Sequence, residues 1–423
     1  MNQRGLQRTA AGEDGGPAAP CRLAGLLAEC LLSFCRFLPT RERASPPMQY
    51  RPYGRTGVSV SALGFGCMRL PMTGNRVDRD LAIPMLHRAY QSGVNYFDTG
   101  KWYCAQDSER TLGEAVKGMD RSKIHLATKY AQEKPTAADL REKFETSLKL
   151  MQIEYVDFYH LWGLSWDAFE KKMALKGGPL EAFLKLKDER LVRHLSTSFH
   201  SKAEDLKKLV DTGCFETILC QYNLLDRANE EAIAYAASKG VGVAIMGTVG
   251  GGRLGAPSAA IGGMLGTARV STAELALRFV LSNPNVSVAL SGMSTMQQVE
   301  ENVATASRDS YLTPDERKKI VQAMAENRRL ADLYCTGCKY CMRCPHDVNI
   351  PRVFELMNYY RVYGLQDYAH REYLELMAGR AWPKDLKDAS KCEACGECEE
   401  KCPQKLRIAE QLKEAHRVLS AGT

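Results

Sequence analysis

The stretch "IHLATKYAQEKPTAADLREKFETSLKLMQIEYVDFYHLW", residues 124–162, decides the fold of this chain. It opens on the short run IHLATK (124–129), passes through the helical stretch LREKFETSLKLM, and closes on YVDFYHLW (155–162). Strand, helix and strand in that order form the unit of a parallel sheet, because parallel neighbours need a crossover that a helix supplies. The unit recurs on both sides. Upstream lie SALGFGCM (61–68) and NYFDT (95–99); downstream lie VRHLSTS (192–198), TILCQYN (217–223), VGVAIM (241–246) and VSVALSGM (286–293). Helical stretches such as DLAIPMLHRAYQSG and TAELALRFVLSNP separate them, and TMQQVEENVATA follows the last. Eight such units in about 250 residues are the arithmetic of an α/β fold, a (β/α)8 TIM barrel. A doubly wound sheet would place a glycine-rich dinucleotide fingerprint after the first strand, and LGFGCMRL is not one.

The length of 423 residues accommodates one large domain and a small one. Hydrophobic residues make up 45% and charged residues 25%, which is ordinary for a globular protein. The net charge of +7 comes from scattered basic residues, so no nucleic-acid partner is expected. Residues 1–47 differ from the rest. Their apolar run, LAGLLAECLLSFCRFL, is short and broken by Glu29, Cys30, Cys35 and Arg36, so no membrane span is expected. No small-residue cleavage site and no twin arginine accompany it. Two readings stay open: residues 1–47 precede the true start at Met48, or they form a disordered arm.

In a barrel of this kind chemistry sits at the carboxyl ends of the strands. The second strand ends in Asp98, with Tyr103 on the loop behind it; the third ends in Lys129; the fourth carries His160 and Trp162. An acid, a lysine and a tyrosine on neighbouring strand ends form a proton-delivery unit. A phenol of pKa near 10 is a weak acid at neutral pH, and an adjacent ammonium is expected to lower it. The carboxylate keeps the lysine charged, and Tyr103 can then protonate a carbonyl oxygen.

Eight of the fifteen cysteines fall in two runs, CTGCKYCMRCP (335–345) and CEACGECEEKCP (392–403). The other seven (21, 30, 35, 67, 104, 214 and 220) show no disulfide framework, which points to metal binding in a reducing cytoplasm. The second run, C-x2-C-x2-C-x3-C-P, matches the bacterial cluster-binding pattern; the first is one residue tighter at its last step. In two-cluster modules the fourth cysteine of one run serves the other cluster. Cys335, Cys338, Cys341 and Cys402 are therefore expected on one [4Fe–4S] cluster, and Cys392, Cys395, Cys398 and Cys344 on a second. Zinc knuckles share the C-x2-C pairs, but two runs of four, each followed by proline, are more specific for clusters. Between the runs Val353, Leu356, Met357 and Tyr360 recur at helical spacing, so a small α-helical dicluster ferredoxin-like domain is expected over 331–415. A linker helix is expected over 311–330.

YGRTGVSVSALGFGCMRL, YFDTGKWYCAQDSERTLGEAV, IHLATKY, YVDFY and ALRFVLSNPNVSVALSGMSTMQQVEEN together resemble an aldo-keto reductase over about 48–310. The cysteine-rich tail is similar to that of the subgroup with a ferredoxin-like C-terminal module. The resemblance implies a tyrosine acid at Tyr103, a lysine at Lys129 and an aspartate at Asp98, around a nicotinamide cofactor, NADP or NAD. The family's histidine falls at Trp162, while His160 lies two residues earlier, about 6.6 Å deeper on the same face. It either approaches the site or is a satisfied histidine inside the barrel.

For the cofactor the resemblance implies Ser198 at the carboxamide. The family's strand-six glutamine falls at Leu219, leaving Gln221 as its substitute. The basic pair that grips a 2′-phosphate aligns with Gly292 and Gln298, with Ser294, Thr295 and Asn302 suited to phosphate and adenine. The loop MGTVGGGRL (246–254), from Gly247 on, offers backbone N–H groups to a pyrophosphate, with Arg253 as its charge. An iron–sulfur oxidoreductase acting on a small carbonyl-like substrate follows as the leading expectation. Hydride moves two electrons and each cluster one, so the clusters either relay electrons to an external one-electron donor or acceptor or are structural. Two other readings stand beside it: an electron-transfer or adaptor protein whose barrel has lost hydride catalysis, and a flavin-dependent reductase.

Overall fold

The computed structural model describes residues 46–421 apart from 132–134, 267–269, 336–337 and 343. The expectations for residues 1–45 therefore lie outside the described residues. Eight parallel strands close into a barrel: β1 (Leu63–Gly66), β2 (Tyr96–Asp98), β3 (His125–Tyr130), β4 (Val156–Leu161), β5 (Val192–Phe199), β6 (Thr217–Gln221), β7 (Gly242–Met246) and β8 (Val288–Ser291). Each neighbours the next in sequence, and β8 pairs with β1.

Eight helices follow the strands in turn: α1 (Arg79–Gln91), α2 (Ser108–Val116), α3 (Ala137–Met151), α4 (Pro179–Asp188), α5 (Ala203–Asp211), α6 (Glu230–Ser238), α7 (Thr272–Leu281) and α8 (Met296–Ala306). The opening stretch behaves as its pattern requires. Thr136 caps α3 by accepting from Asp139 N; Leu140, Phe144 and Met151 bury one face; Gln152 ends it in the left-handed region at φ 54°.

A hairpin of Tyr50–Pro52 against Ser59–Ser61 precedes β1, and no periodicity announces it. It brings Tyr53 into the barrel floor, where its ring packs 5.7 Å from Tyr96 and 4.9 Å from Phe158. Above these rings Ala127, Leu219, Ala244 and Leu290 fill the interior. Inward-facing side chains alternate along each strand, so polar groups are gathered at the carboxyl end. Pairing of Lys129 with His160 and of His160 with Ser196 sets three of them at one level.

Helix α9 (Pro314–Tyr334) starts in a capping box of Thr313 and Glu316. It is no bare linker. Arg317 hydrogen-bonds the Phe279 carbonyl, the Tyr222 hydroxyl and Glu230 Oε1 on the barrel, and Ile320 is buried. The tail that follows is helical, with α10 (Ile350–Arg361), α11 (Gln366–Met377) and α12 (Ile408–Ser420). The two cysteine runs share backbone turns at two described places. Lys339 and Gly396, each just after the second cysteine of its run, have φ of 67° and 82°; Asp347 and Lys405, each three residues past the last, have 59° and 53°. Each run then feeds a helix, α10 or α12. Among the described residues no helix is long and apolar enough to cross a membrane.

Candidate active site and metal centre

β2 and β3 bring Asp98 and Lys129 side by side at the carboxyl end of the barrel. Lys129 Nζ donates to Asp98 Oδ1 at 2.5 Å and to the Thr99 carbonyl at 2.7 Å, and both side chains are almost fully buried. The ammonium also lies 4.7 Å from the centroid of the Tyr103 ring, a cation–π contact. Burial opposes the charged form of Lys129, yet Asp98 and Tyr103 together hold its pKa above the ordinary lysine range. Burial also raises the Asp98 carboxyl, against the pull of the ammonium.

Tyr103 departs from expectation. Its hydroxyl is shifted upward, because burial outweighs the lowering by Lys129. The sequence shows the neighbouring charge but not the depth at which the ring is placed. Behind Tyr103, Cys104, Ala105 and Gln106 take φ of 50°, 52° and 70°, three consecutive non-glycine residues in the left-handed region. The turn is clamped at its far end, where Asp107 accepts from Val77 N and pairs with Arg79.

His160 is fully buried, with Nε2 3.6 Å from Asp98 Oδ2. Neither ring nitrogen has a hydrogen-bond partner among the described residues, and neither has Asp98 Oδ2. Burial, with Lys129 beside it, holds the pKa of His160 well below the usual range, so the ring is neutral. Trp162 lies just beyond β4, its ring 4.9 Å from that of Trp102 and 5.5 Å from that of Tyr103. Trp102, about half exposed, completes an aromatic wall that the motif reading missed, although it adjoins Tyr103 in sequence.

The residues assigned to a cofactor occupy the rim. Ser198 Oγ accepts from Gly163 N at 2.9 Å, which leaves its own O–H to donate to a carboxamide oxygen. Leu219 is enclosed in the apolar interior; Gln221, at the end of β6, donates through Nε2 to Asp226. Asn302 Nδ2 donates to Ser291 Oγ, and Gln298 Oε1 accepts from Ser294 N. After β7, Gly247, Gly251 and Gly252 have φ of 66°, 68° and 98°, and no atom lies within 4 Å of where a Cβ would stand on the last two. That leaves an open cradle, in which the Gly250, Gly252 and Leu254 N–H groups already donate to the Gly247 and Val249 carbonyls.

Arg253 is used differently from the expected pyrophosphate contact: its guanidinium donates to Gly250 O and to the hydroxyl of Tyr359 in the tail. The cation facing the loop is Arg69, which donates to Gly251 O and packs its side chain against Gly292. Its place three residues past β1 was the sequence signal for it. With the unpartnered atoms at the floor, the donors at Ser198 and the glycine cradle, the rim fits a nicotinamide dinucleotide.

In the tail the eight motif cysteines divide between two adjoining cavities. Cys335, Cys338, Cys341 and Cys402 line the first, with Ile350, Phe354, Leu406 and Ile408. Cys344, Cys392, Cys395 and Cys398 line the second, with Ile350 and Leu412; Cys341 borders both. Each run thus reaches across with its last cysteine. Among the described residues no three His, Cys, Asp or Glu side chains close on one point as a lone ion requires. Four thiols around each apolar-walled cavity form a donor set that suits an iron–sulfur cluster.

The Aldo/keto reductase family matches residues 62–325 and a 4Fe-4S dicluster domain matches 334–407. L-galactose dehydrogenase of Arabidopsis thaliana is 29% identical over 307 residues, 66% of this chain and 95% of that one. The NADH-specific methylglyoxal reductase of Escherichia coli is 25% identical over 209 residues, 44% of this chain and 62% of that one. Among solved structures, an aldo-keto reductase from Bacillus halodurans in its holo form superposes with a TM-score of 0.56 at 30% identity, covering 65% of this chain and 96% of that one.

Proposed function

The chain belongs to the aldo/keto reductase family and carries a 4Fe-4S dicluster domain, and from that premise we propose that its barrel reduces a small carbonyl compound with Tyr103 as the acid. The observation that carries this reading is the buried Lys129 ammonium, held by Asp98 at 2.5 Å and set against the Tyr103 ring at 4.7 Å. A nicotinamide dinucleotide, when bound, would supply the hydride. Tyr103 gives its hydroxyl proton to the carbonyl oxygen, and the ammonium stabilises the phenolate left behind. Asp98 keeps Lys129 charged during that step. His160, neutral and beside Asp98 Oδ2, stands ready to hydrogen-bond a water or substrate group at the floor. Ser198 and Gln221 would meet the carboxamide, and Arg69 with the loop from Gly247 the phosphates.

Cys335, Cys338, Cys341 and Cys402 would hold one [4Fe–4S] cluster, and Cys344, Cys392, Cys395 and Cys398 the other. Clusters so held would supply one-electron chemistry toward an external carrier, or would serve to hold the tail folded. Trp162 favours a second reading. An indole at the family's histidine position, stacked with Trp102 and Tyr103, suits a barrel that binds without reducing.

The test is anaerobic turnover of the cluster-loaded protein with NADH or NADPH and a panel of aldehydes and ketones, beside Tyr103→Phe. Turnover that falls at least a hundredfold in the variant upholds the first reading. Tight dinucleotide binding without turnover of any carbonyl upholds the second.

A further inference from the structure

The loop after β7 is not held by the barrel alone. Within it Arg253 Nε donates to Gly250 O at 2.7 Å, and the same guanidinium lies 5.5 Å above the Tyr359 ring and donates to its hydroxyl. Tyr359 is buried, and its hydroxyl donates onward to Glu355 Oε1 at 2.9 Å. One step further along the chain Ser258 Oγ donates to the Tyr363 carbonyl at 2.7 Å. The loop is therefore tied to helix α10 through Tyr359, and the segment just after the loop is tied to the turn just after the helix.

The other end of α10 reaches the cysteine cavities. Ile350, Pro351 and Phe354 line the first cysteine cavity. Phe354 and Tyr359 are five residues apart, roughly 8 Å along the helix axis. A rigid rod thus has the cluster cavity at one end and the glycine loop at the other. A run of left-handed glycines is costly to order, so what restrains it decides how ready it is for a ligand.

We propose that Tyr359 is a positioning residue for the dinucleotide loop. The tail, folded around its clusters, fixes Arg253 and with it the backbone from Gly247 to Gly255. The dinucleotide then binds tightly only while α10 is in place. This rests on the nicotinamide reading above.

The test uses full-length, cluster-loaded protein, titrated anaerobically with NADH and NADPH by fluorescence. Tyr359→Phe keeps the ring and removes the hydroxyl. Its Kd is expected to rise about tenfold, the usual loss for a hydrogen bond to a charged group. Iron and sulfide content and the cluster absorption should stay as in the wild type. Amide exchange across 247–256 should quicken while the tail amides keep their protection. Arg253→Met should weaken binding at least as much, since it also removes the donation to Gly250 O, and the double variant should add little to Arg253→Met, because the Arg253–Tyr359 bond is lost in both. Wild-type binding that Tyr359→Phe leaves unchanged overturns the proposal alone. A wild type that binds neither nucleotide overturns the nicotinamide reading and this proposal with it. Should Tyr359→Phe lose iron, Arg253→Met decides from the barrel side, and an unchanged Kd there overturns the proposal.

Discussion

Nε2 of His160 stands 3.6 Å from Oδ2 of Asp98, and neither atom has a hydrogen-bond partner among the described residues. Asp98 thus turns one oxygen to Lys129 and keeps the other facing a neutral imidazole. A buried acceptor left in this way is costly, and the cost falls where a reacting group or a water would relieve it.

The Asp98–Lys129 pair makes a prediction about stability. Asp98→Asn leaves a buried ammonium uncompensated and should cost about 3–5 kcal/mol, as should Lys129→Met for the carboxylate. The double variant should recover most of that loss while remaining inactive. Urea unfolding of the four proteins measures it; additive losses would rule out the pair as a closed electrostatic unit.

Tyr103 predicts a pH profile. Because burial sets its hydroxyl above the ordinary phenol range, the acid stays protonated through neutral and mildly alkaline pH. The rate of carbonyl reduction should be flat there and fall only above about pH 10. No limb near pH 6.5 is expected from His160, which burial keeps neutral. A profile of kcat/KM against pH checks both, and Lys129→Met should move the alkaline limb higher still.

Cysteine pairing is testable by iron counting. Cys338→Ser with Cys402→Ser removes two thiols from one cavity and should leave about half the iron. Cys338→Ser with Cys344→Ser removes one from each and should leave far less. The reverse order would mean that each run closes its own cluster, against the lining of the two cavities.

At the opposite end of the barrel Glu216 predicts an acid transition. Burial raises its carboxyl, but His194, Lys187 and the Leu195 N–H outweigh that and bring it down to about 2. The native pKa lies below the unfolded value, so the contribution is complete above about pH 4.5 and is lost as pH falls towards 2. It amounts to about 2–3 kcal/mol. Melting curves of wild type and Glu216→Gln across that range should converge at the acid end.

Much of this was legible in the sequence, for identifiable reasons. The barrel strands are apolar runs flanked by helices, and Trp162, Lys129 and Asp98 sit within a residue of where the strand ends were expected. The floor hairpin was not legible, since three-residue strands broken by Pro52 and a glycine turn have no period to read. The use of Arg253 was hidden because its partner lies 106 residues away. The upward shift at Tyr103 depends on depth, which no motif encodes. Arg69 was within reach: it lies three residues past β1, where the rule for strand ends applies.

The reciprocal reach of the two cysteine runs has a consequence in time. A chain leaving the ribosome folds its barrel first, and α10 emerges with it. The first cavity still lacks its fourth thiol until Cys402 is synthesised, and the second has only Cys344 until its own three follow. Completing the first cavity is therefore a closing event, one that needs the chain through Cys402. A chain stopped short of Cys402 would carry a finished barrel and an unfinished tail. A full iron complement would thereby report that synthesis had passed Cys402.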